Sequence, residues 1–218
     1  MKKIFYVFVI SLFVYGNCKK SDVVALETYL PNTIGSSWTY RIVAAGGAPT
    51  TSTFTVSNRD TTANSRKYNV ITGTTGGNQY YSKNGSDYYT FRGVSTSGLE
   101  LLFLKDNLDV NGTWTTSQIL TGLVGLPGGI TSVTINTAYK IESKGGSRVV
   151  NGTTYNSVIK VRADLTAVIP ILGSLSFGYA EFYFSKNIGI IESDFKIANA
   201  MAGININELY TLQSYVIK

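Results

Sequence analysis

The stretch SVTINTAYKIES (132–143) sets Val133, Ile135, Tyr139 and Ile141 on one side of an extended chain, with mostly polar residues between them. A two-residue period marks a strand with one buried face, because successive side chains of an extended backbone point to opposite sides. Similar β-rich runs follow one another along most of the chain. They are SWTYRIVA (37–44), TSTFTVSNRD (51–60), RKYNVITGT (66–74), NQYYSKNGSDYYTFRGV (78–94), GTWTTSQIL (112–120), NSVIKVRADL (156–165), LSFGYAEFYFSK (175–186), GIIESDFKIA (189–198) and LYTLQSYVIK (209–218). LELLFLKD (99–106) is apolar at almost every position and suits a buried strand or a short helix. About eleven sequential strands at hairpin spacing predict an all-β fold, an antiparallel meander. So long a sheet curls or closes, since strand twist accumulates and unpaired edges invite aggregation. The expected architecture is a lipocalin-like barrel or half-barrel, with a two-sheet β-sandwich as the alternative.

Two turns predict strand register. Asn84-Gly85 and Asn151-Gly152 are the residue pair that a two-residue type I′ hairpin prefers. The first would set Tyr81 opposite Tyr88 and Tyr80 opposite Tyr89, the second Val149 opposite Thr154 and Arg148 opposite Tyr155. Asn-Gly-Ser/Thr at 84, 111 and 151 also matches the glycosylation sequon, but is read here as turn chemistry. GSSWTY (35–40) and NGTWTT (111–116) both carry a tryptophan from a turn into a strand. Two half-sheets of similar plan would produce that echo, and so would the frequency of aromatics at strand starts.

Composition removes several kinds of chemistry. The 218 residues include no histidine and one cysteine. Ser-His-Asp and Cys-His centres are thereby excluded, as are an internal disulfide and a cysteine-based zinc cluster. The formal charge of +6 falls to +4 without Lys2 and Lys3, and the remaining basic residues are mostly scattered singly. Nucleic-acid binders gather such charge on one face, so no nucleic-acid partner is expected.

The N-terminus supplies the address. Lys2-Lys3 precedes Ile4–Tyr15, apolar except for Ser11, and then come Gly16-Asn17-Cys18 and the polar Lys19-Lys20-Ser21-Asp22. The apolar run suits a signal peptide and is too short for a membrane span. The stretch resembles a bacterial lipoprotein signal, and the CKKSD continuation resembles those of Bacteroidota. The resemblance implies cleavage before Cys18 and a thioether-linked diacylglycerol on its sulfur. Tyr15 and Asn17 depart from that pattern, which favours an aliphatic residue three before the cysteine and a small one beside it. The other reading is an ordinary secretory signal with a chance cysteine. Residues 1–17 are thus expected to be a signal peptide, 18–35 a lipidated N-terminus and tether, and 36–218 a single β-rich domain. The expected location is the outer membrane, held by lipid. Surface export in Bacteroidota goes with acidic residues just after the cysteine, and Asp22 behind two lysines leans toward the periplasmic face.

YLPNTIGSSWTYRI (29–42) resembles the opening of a group of Bacteroidota lipoproteins with no established activity, in Tyr29, Pro31, Gly35, Trp38 and Tyr40. NGTTYNSVIKV (151–161) and YFSKNIGIIESD (183–194) resemble that group's late hairpin and closing strand. The resemblance implies a secreted, tethered β-domain and carries no catalytic residue over.

Three functional readings follow. The first is a non-enzymatic lipoprotein that binds an apolar small molecule or another envelope component. The segments 119–130 and 165–178 are apolar and broken by Gly and Pro, and they either cap the core or line a pocket mouth. The mouth residues would be Leu123, Val124, Leu126, Ile169, Ile171 and Leu172. The second is a surface glycan-binding or adhesive module that stacks sugars on Tyr80, Tyr81, Tyr88 and Tyr89. Plain cross-strand packing is the other reading of those tyrosines. The third is a carboxylate-dependent hydrolase drawing on Glu142, Asp164, Glu181, Glu192 or Asp194, for which no catalytic motif is present. No catalytic residue, metal or cofactor is expected.

Anchoring has a direct test. Cys18→Ser is expected to abolish metabolic lipid labelling and to move the protein from the membrane to the soluble fraction. An unlabelled wild-type protein that fractionates as the variant does would contradict it.

Overall fold

Among the described residues, extended backbone sorts the chain into twelve strands. They are β1 (Ser37–Ala44), β2 (Thr50–Ala63), β3 (Arg66–Gly73), β4 (Gln79–Asn84), β5 (Asp87–Val94), β6 (Ser97–Lys105), β7 (Thr113–Thr121), β8 (Ser132–Val150), β9 (Thr153–Ile169), β10 (Gly173–Ser185), β11 (Gly189–Asn199) and β12 (Ile204–Val216). The structure is a computed structural model and describes residues 27–75, 77–94, 97–121, 129–169, 173–199 and 204–218. LELLFLKD, compatible with strand or helix by sequence, forms most of β6.

All pairings are antiparallel, and the strands form one sheet in the order β6-β5-β4-β3-β2-β1-β12-β11-β10-β9-β8-β7. This is an up-and-down meander whose first and last strands are joined. Ser37 pairs with Val216 and Ala44 with Glu208 along the β1–β12 ladder, with one bulge between Thr39 and Tyr40. The break in the ring falls between β6 and β7, so the sheet is a nearly closed barrel. Apolar side chains line its interior, including Phe54, Phe103, Tyr139, Ile141, Ile159, Val161, Phe182 and Phe184, all at most 4% exposed.

One hairpin keeps its expected register and one does not. Asn151 and Gly152 have φ of 48° and 80°, and Val149 pairs with Thr154 and Arg148 with Tyr155. At the other turn Asn84 stays extended and pairs with Asp87, while Tyr81 faces Thr90 and Lys83 faces Tyr88. Gly85, with φ of 59°, takes the first turn position in place of Asn84. Glycine adopts that conformation without steric cost, so a Gly-Ser turn competes with the Asn-Gly turn. The slip is even, so each tyrosine stays on its expected face although its partner changes.

Antiparallel order collects the connections β1–β2, β3–β4, β5–β6, β7–β8, β9–β10 and β11–β12 at one end, here called the mouth. The other end, the base, receives the entry to β1 and the exit from β12. Residues 27–31, read by sequence as part of the tether, pack across the base. Tyr29 and Leu30 are buried, the Asn187 amide donates to the Thr28 carbonyl at 2.6 Å, and the Thr28 amide donates to Asn187 Oδ1 at 3.1 Å. The Tyr88 hydroxyl accepts the Tyr29 amide at 3.3 Å and donates to Asp106 Oδ2 at 2.6 Å. Trp38 closes the same end by donating from its indole N–H to the Ile188 carbonyl at 2.5 Å.

Candidate functional site

Seven rings from seven strands touch in sequence around the interior. Tyr81 stacks on Phe103, with 5.9 Å between centroids, and Phe103 meets Phe182 edge-on at 5.6 Å. Phe182 meets Phe195 at 5.6 Å, Phe195 meets Tyr210 at 5.9 Å, Tyr210 meets Tyr40 at 6.5 Å and Tyr40 meets Phe54 at 6.0 Å. Edge-to-face pairs of this kind contribute about 1 kcal/mol each beyond the area they bury. The belt is therefore a stiff wall. Tyr40 is locked into it by donating its hydroxyl to the Ile190 carbonyl at 2.6 Å, and burial holds its pKa well above the usual phenol value.

The belt surrounds a cavity of about 430 Å³ toward the mouth. Such a volume lies within the range of small-molecule sites. Phe103, Phe182 and Ile190 lie at its deep end, Leu99 and Leu101 on one side, and Ile42, Ala44, Thr50, Thr75 and Gln79 nearer the mouth. Glu208 also lines it, and the other lining residues among those described are uncharged. The cavity belongs to the side of the barrel built from β1, β2, β4–β6 and β10–β12. The opposite side of the mouth end is packed. There Leu120, Val133, Ile135, Leu165, Ala167, Ile169 and Phe177 form an apolar cluster with the partly buried Ile130 and Leu175.

These positions place the residues singled out by sequence. Ile169 is 2% exposed inside the packed cluster and does not line the cavity. Leu123, Val124, Leu126, Ile171, Leu172 and Cys18 lie outside the described residues. Tyr81 and Tyr88 face the interior, the first against the cavity and the second, fully buried, against the strap at the base. Tyr80 and Tyr89 face outward, where Tyr80 meets Phe91 edge-on at 6.2 Å and Tyr89 lies 3.4 Å beneath the Arg66 guanidinium. The carboxylates lie on the outer face in ion pairs. Glu142 and Glu181 share Lys160, Asp164 pairs with Arg162, Glu192 with Arg148 and Asp194 with Lys196. A charged exterior around an apolar interior inverts the plan of a transmembrane barrel, whose lipid-facing side is apolar.

Sequence reasoning missed Glu208 and the inward residues of β6. Both carry a signal: stepping back by two from Leu212 and Tyr210 reaches Glu208, and Leu99, Leu101 and Phe103 alternate within LELLFLKD.

The break between β6 and β7 is the second notable site. Gln118 stands in for a missing ladder, since its Oε1 accepts the Glu100 amide at 2.9 Å and its Nε2 donates to the Glu100 carbonyl. The Trp114 indole donates to the Leu102 carbonyl at 2.7 Å and stacks on Tyr139 with centroids 5.1 Å apart. Burial pushes the Tyr139 hydroxyl up to about 12. The Glu100 carboxylate faces outward and accepts Arg66 Nε at 2.6 Å, the Tyr68 hydroxyl at 2.6 Å and Asn64 Nδ2 at 3.3 Å. Burial and the Glu100 contact both raise the Tyr68 pKa. A cleft of about 840 Å³ runs along this seam, bordered by Arg66, Tyr89, Gly98, Glu100 and Gln118. It is larger than the interior cavity but more open and more polar, so the enclosed aromatic cavity is the better candidate for a small-molecule site.

No protein-family model matches the chain, and no curated protein matches it. Two crystal structures are similar to it. One is of a candidate lipoprotein from Parabacteroides distasonis, 12% identical, with a TM-score of 0.41 over 86% of this chain and 98% of that one. The other is of a candidate exported protein with a YmcC-like fold from Bacteroides fragilis, 12% identical, with a TM-score of 0.42 over the same shares.

Gln118→Ala tests the seam. Loss of both amide contacts leaves the Glu100 edge unbonded, and each such hydrogen bond contributes about 1 kcal/mol. Native-state hydrogen exchange at the Glu100 amide is expected to quicken about tenfold, with amides of β9 unchanged. Equal exchange at Glu100 in both proteins would show that Gln118 does not hold the seam.

Proposed function

We propose that the chain is a lipid-anchored envelope protein, without catalytic activity, that holds an apolar small molecule inside its barrel. The observation that carries this reading is the aromatic belt around a cavity of about 430 Å³ near the mouth. Enclosed sites with aromatic walls and a few polar groups are where proteins bind such ligands. The absence of histidine and the outward ion pairs of the carboxylates support a binding role over hydrolysis. With Cys18 as the anchor, eight residues separate it from Glu27, where the strap region of the base begins. Extended, that linker spans about 30 Å, at roughly 3.5 Å per residue. The base is then held near the membrane and the mouth points away from it, which leaves the cavity accessible to envelope solutes.

Native mass spectrometry of the purified protein tests the binding reading. A copurifying apolar molecule is expected on the wild type. Leu101→Trp, which fills the cavity, is expected to remove it while the far-UV spectrum stays that of a β-sheet protein. An adduct that survives Leu101→Trp, or repeated absence of any adduct from the wild type, would contradict the proposal.

A further inference from the structure

Exposed apolar side chains collect at the base. Ile34 leads into β1 there, Tyr215, Val216 and Ile217 leave β12 there, and Val149 stands beside the β8–β9 turn; all five are 36% to 63% exposed. The first four adjoin one another. Val216 pairs with Ser37 and Tyr215 with Trp38, and the Lys218 amide donates to Ser36 Oγ at 3.1 Å, two residues from Ile34. The Tyr215 ring lies 6.4 Å from the Tyr155 ring, and Tyr155 pairs with Arg148, the neighbour of Val149, so the patch runs on to the tip of the β8–β9 hairpin. Lys83, beside the β4–β5 turn, and Lys218 stand at the same end. Of the acidic side chains described there, Glu27, Asp60, Asp87 and Asp109 are each paired with a lysine, and Asp106 accepts the Tyr88 hydroxyl.

An exposed apolar patch with polar groups around it marks a contact surface. The chain on its N-terminal side says what the contact is. Residues 19–26 join Cys18 to Glu27 at the base and reach no further than about 30 Å. An acyl group on Cys18 therefore keeps this end of the barrel beside the bilayer, and Lys19 and Lys20 suit the phosphates of its surface. The patch has the chemistry of a lipid–water boundary. Isoleucine and valine enter the apolar side, a tyrosine ring suits the head-group level, and lysine stems lie along apolar surface with the ammonium in water. We infer that the base is a lipid-contact face. Ile34, Val216 and Ile217 rest at the boundary between head groups and acyl chains, Tyr215 and Lys218 lie at head-group level, and the mouth of the cavity is directed away. The patch is too small to retain the protein by itself, since even a single myristoyl chain binds membranes only marginally. Its task is to orient a domain that the lipid on Cys18 retains, so the inference rests on the anchoring proposed above.

Cysteine scanning with a fluorophore that responds to its surroundings tests the contact. The wild-type sequence has one thiol, at Cys18, and acylation blocks it, so a label on Ile217→Cys, Ile34→Cys or Val168→Cys reports one position. The full chain is reconstituted in vesicles of phosphatidylcholine and phosphatidylglycerol that carry a nitroxide-labelled lipid. On the vesicles, labels at Ile217→Cys and Ile34→Cys are expected to shift their emission to the blue and to be quenched. A label at Val168→Cys, toward the mouth end of β9, is expected to do neither. Equal responses at the three positions, or no response at the two base positions in protein that floats with the vesicles, would overturn the lipid contact and leave the anchor standing. A blue shift at Ile217→Cys that appears without vesicles and grows with protein concentration would assign the patch to a second copy of the chain and overturn it too. Protein that does not float with the vesicles, with a wild-type Cys18 that takes up the fluorophore, would overturn both the contact and the anchor.

Discussion

The β1–β12 ladder is the contact on which the rest of the structure depends. It joins residues 37–44 to residues 208–216, at the two ends of the described chain, and so turns a twelve-stranded sheet into a near-ring. An open sheet of this length would expose two long edges and could not surround anything. With the ladder made, Tyr40 meets Tyr210 across the junction and the aromatic belt becomes continuous from β4 through β6, β10, β11 and β12 to β1 and β2. The break moves to β6 and β7, where a glutamine amide and an indole supply the polar contacts that a backbone ladder would otherwise make.

The two six-stranded halves repeat a device on the outer face. In the first, Arg66 at the start of β3 lies over the Tyr89 ring and reaches Glu100. In the second, Arg148 near the end of β8 lies 3.6 Å over the Tyr183 ring and reaches Glu192 at 2.5 Å. In each case a long hairpin is pinned across later strands of its own half by an arginine held between a ring and a carboxylate. The planar guanidinium suits both contacts at once, which lysine would not. Trp38 and Trp114 likewise open β1 and β7, and each donates its indole N–H to a backbone carbonyl. The tryptophan echo in the sequence therefore coincides with the first strand of each half.

Local patterning made the strands readable. Runs such as SWTYRIVA and SVTINTAYKIES became β1 and the greater part of β8, because period-two burial is a property of the strand itself. Turn chemistry was readable where two adjacent residues both needed positive φ, at Asn151-Gly152. It misled at Asn84-Gly85, where glycine alone sufficed and the neighbouring serine completed the turn. The strap was hidden because it is held by distant parts of the chain, Thr28 by Asn187 and Tyr29 by Tyr88. The cavity was hidden for the same reason. Its belt draws single residues from seven strands, and no local pattern says which inward positions share one level of a barrel.

The proposed ligand sits within the interior belt and not on the outer face. Nuclear Overhauser contacts between added 1-octanol, as an apolar probe, and the aromatic ring protons of the protein measure this directly. The account predicts contacts to the rings of Phe103, Phe182 and Phe195. Contacts confined to the outward rings of Tyr80 and Tyr89 would contradict it.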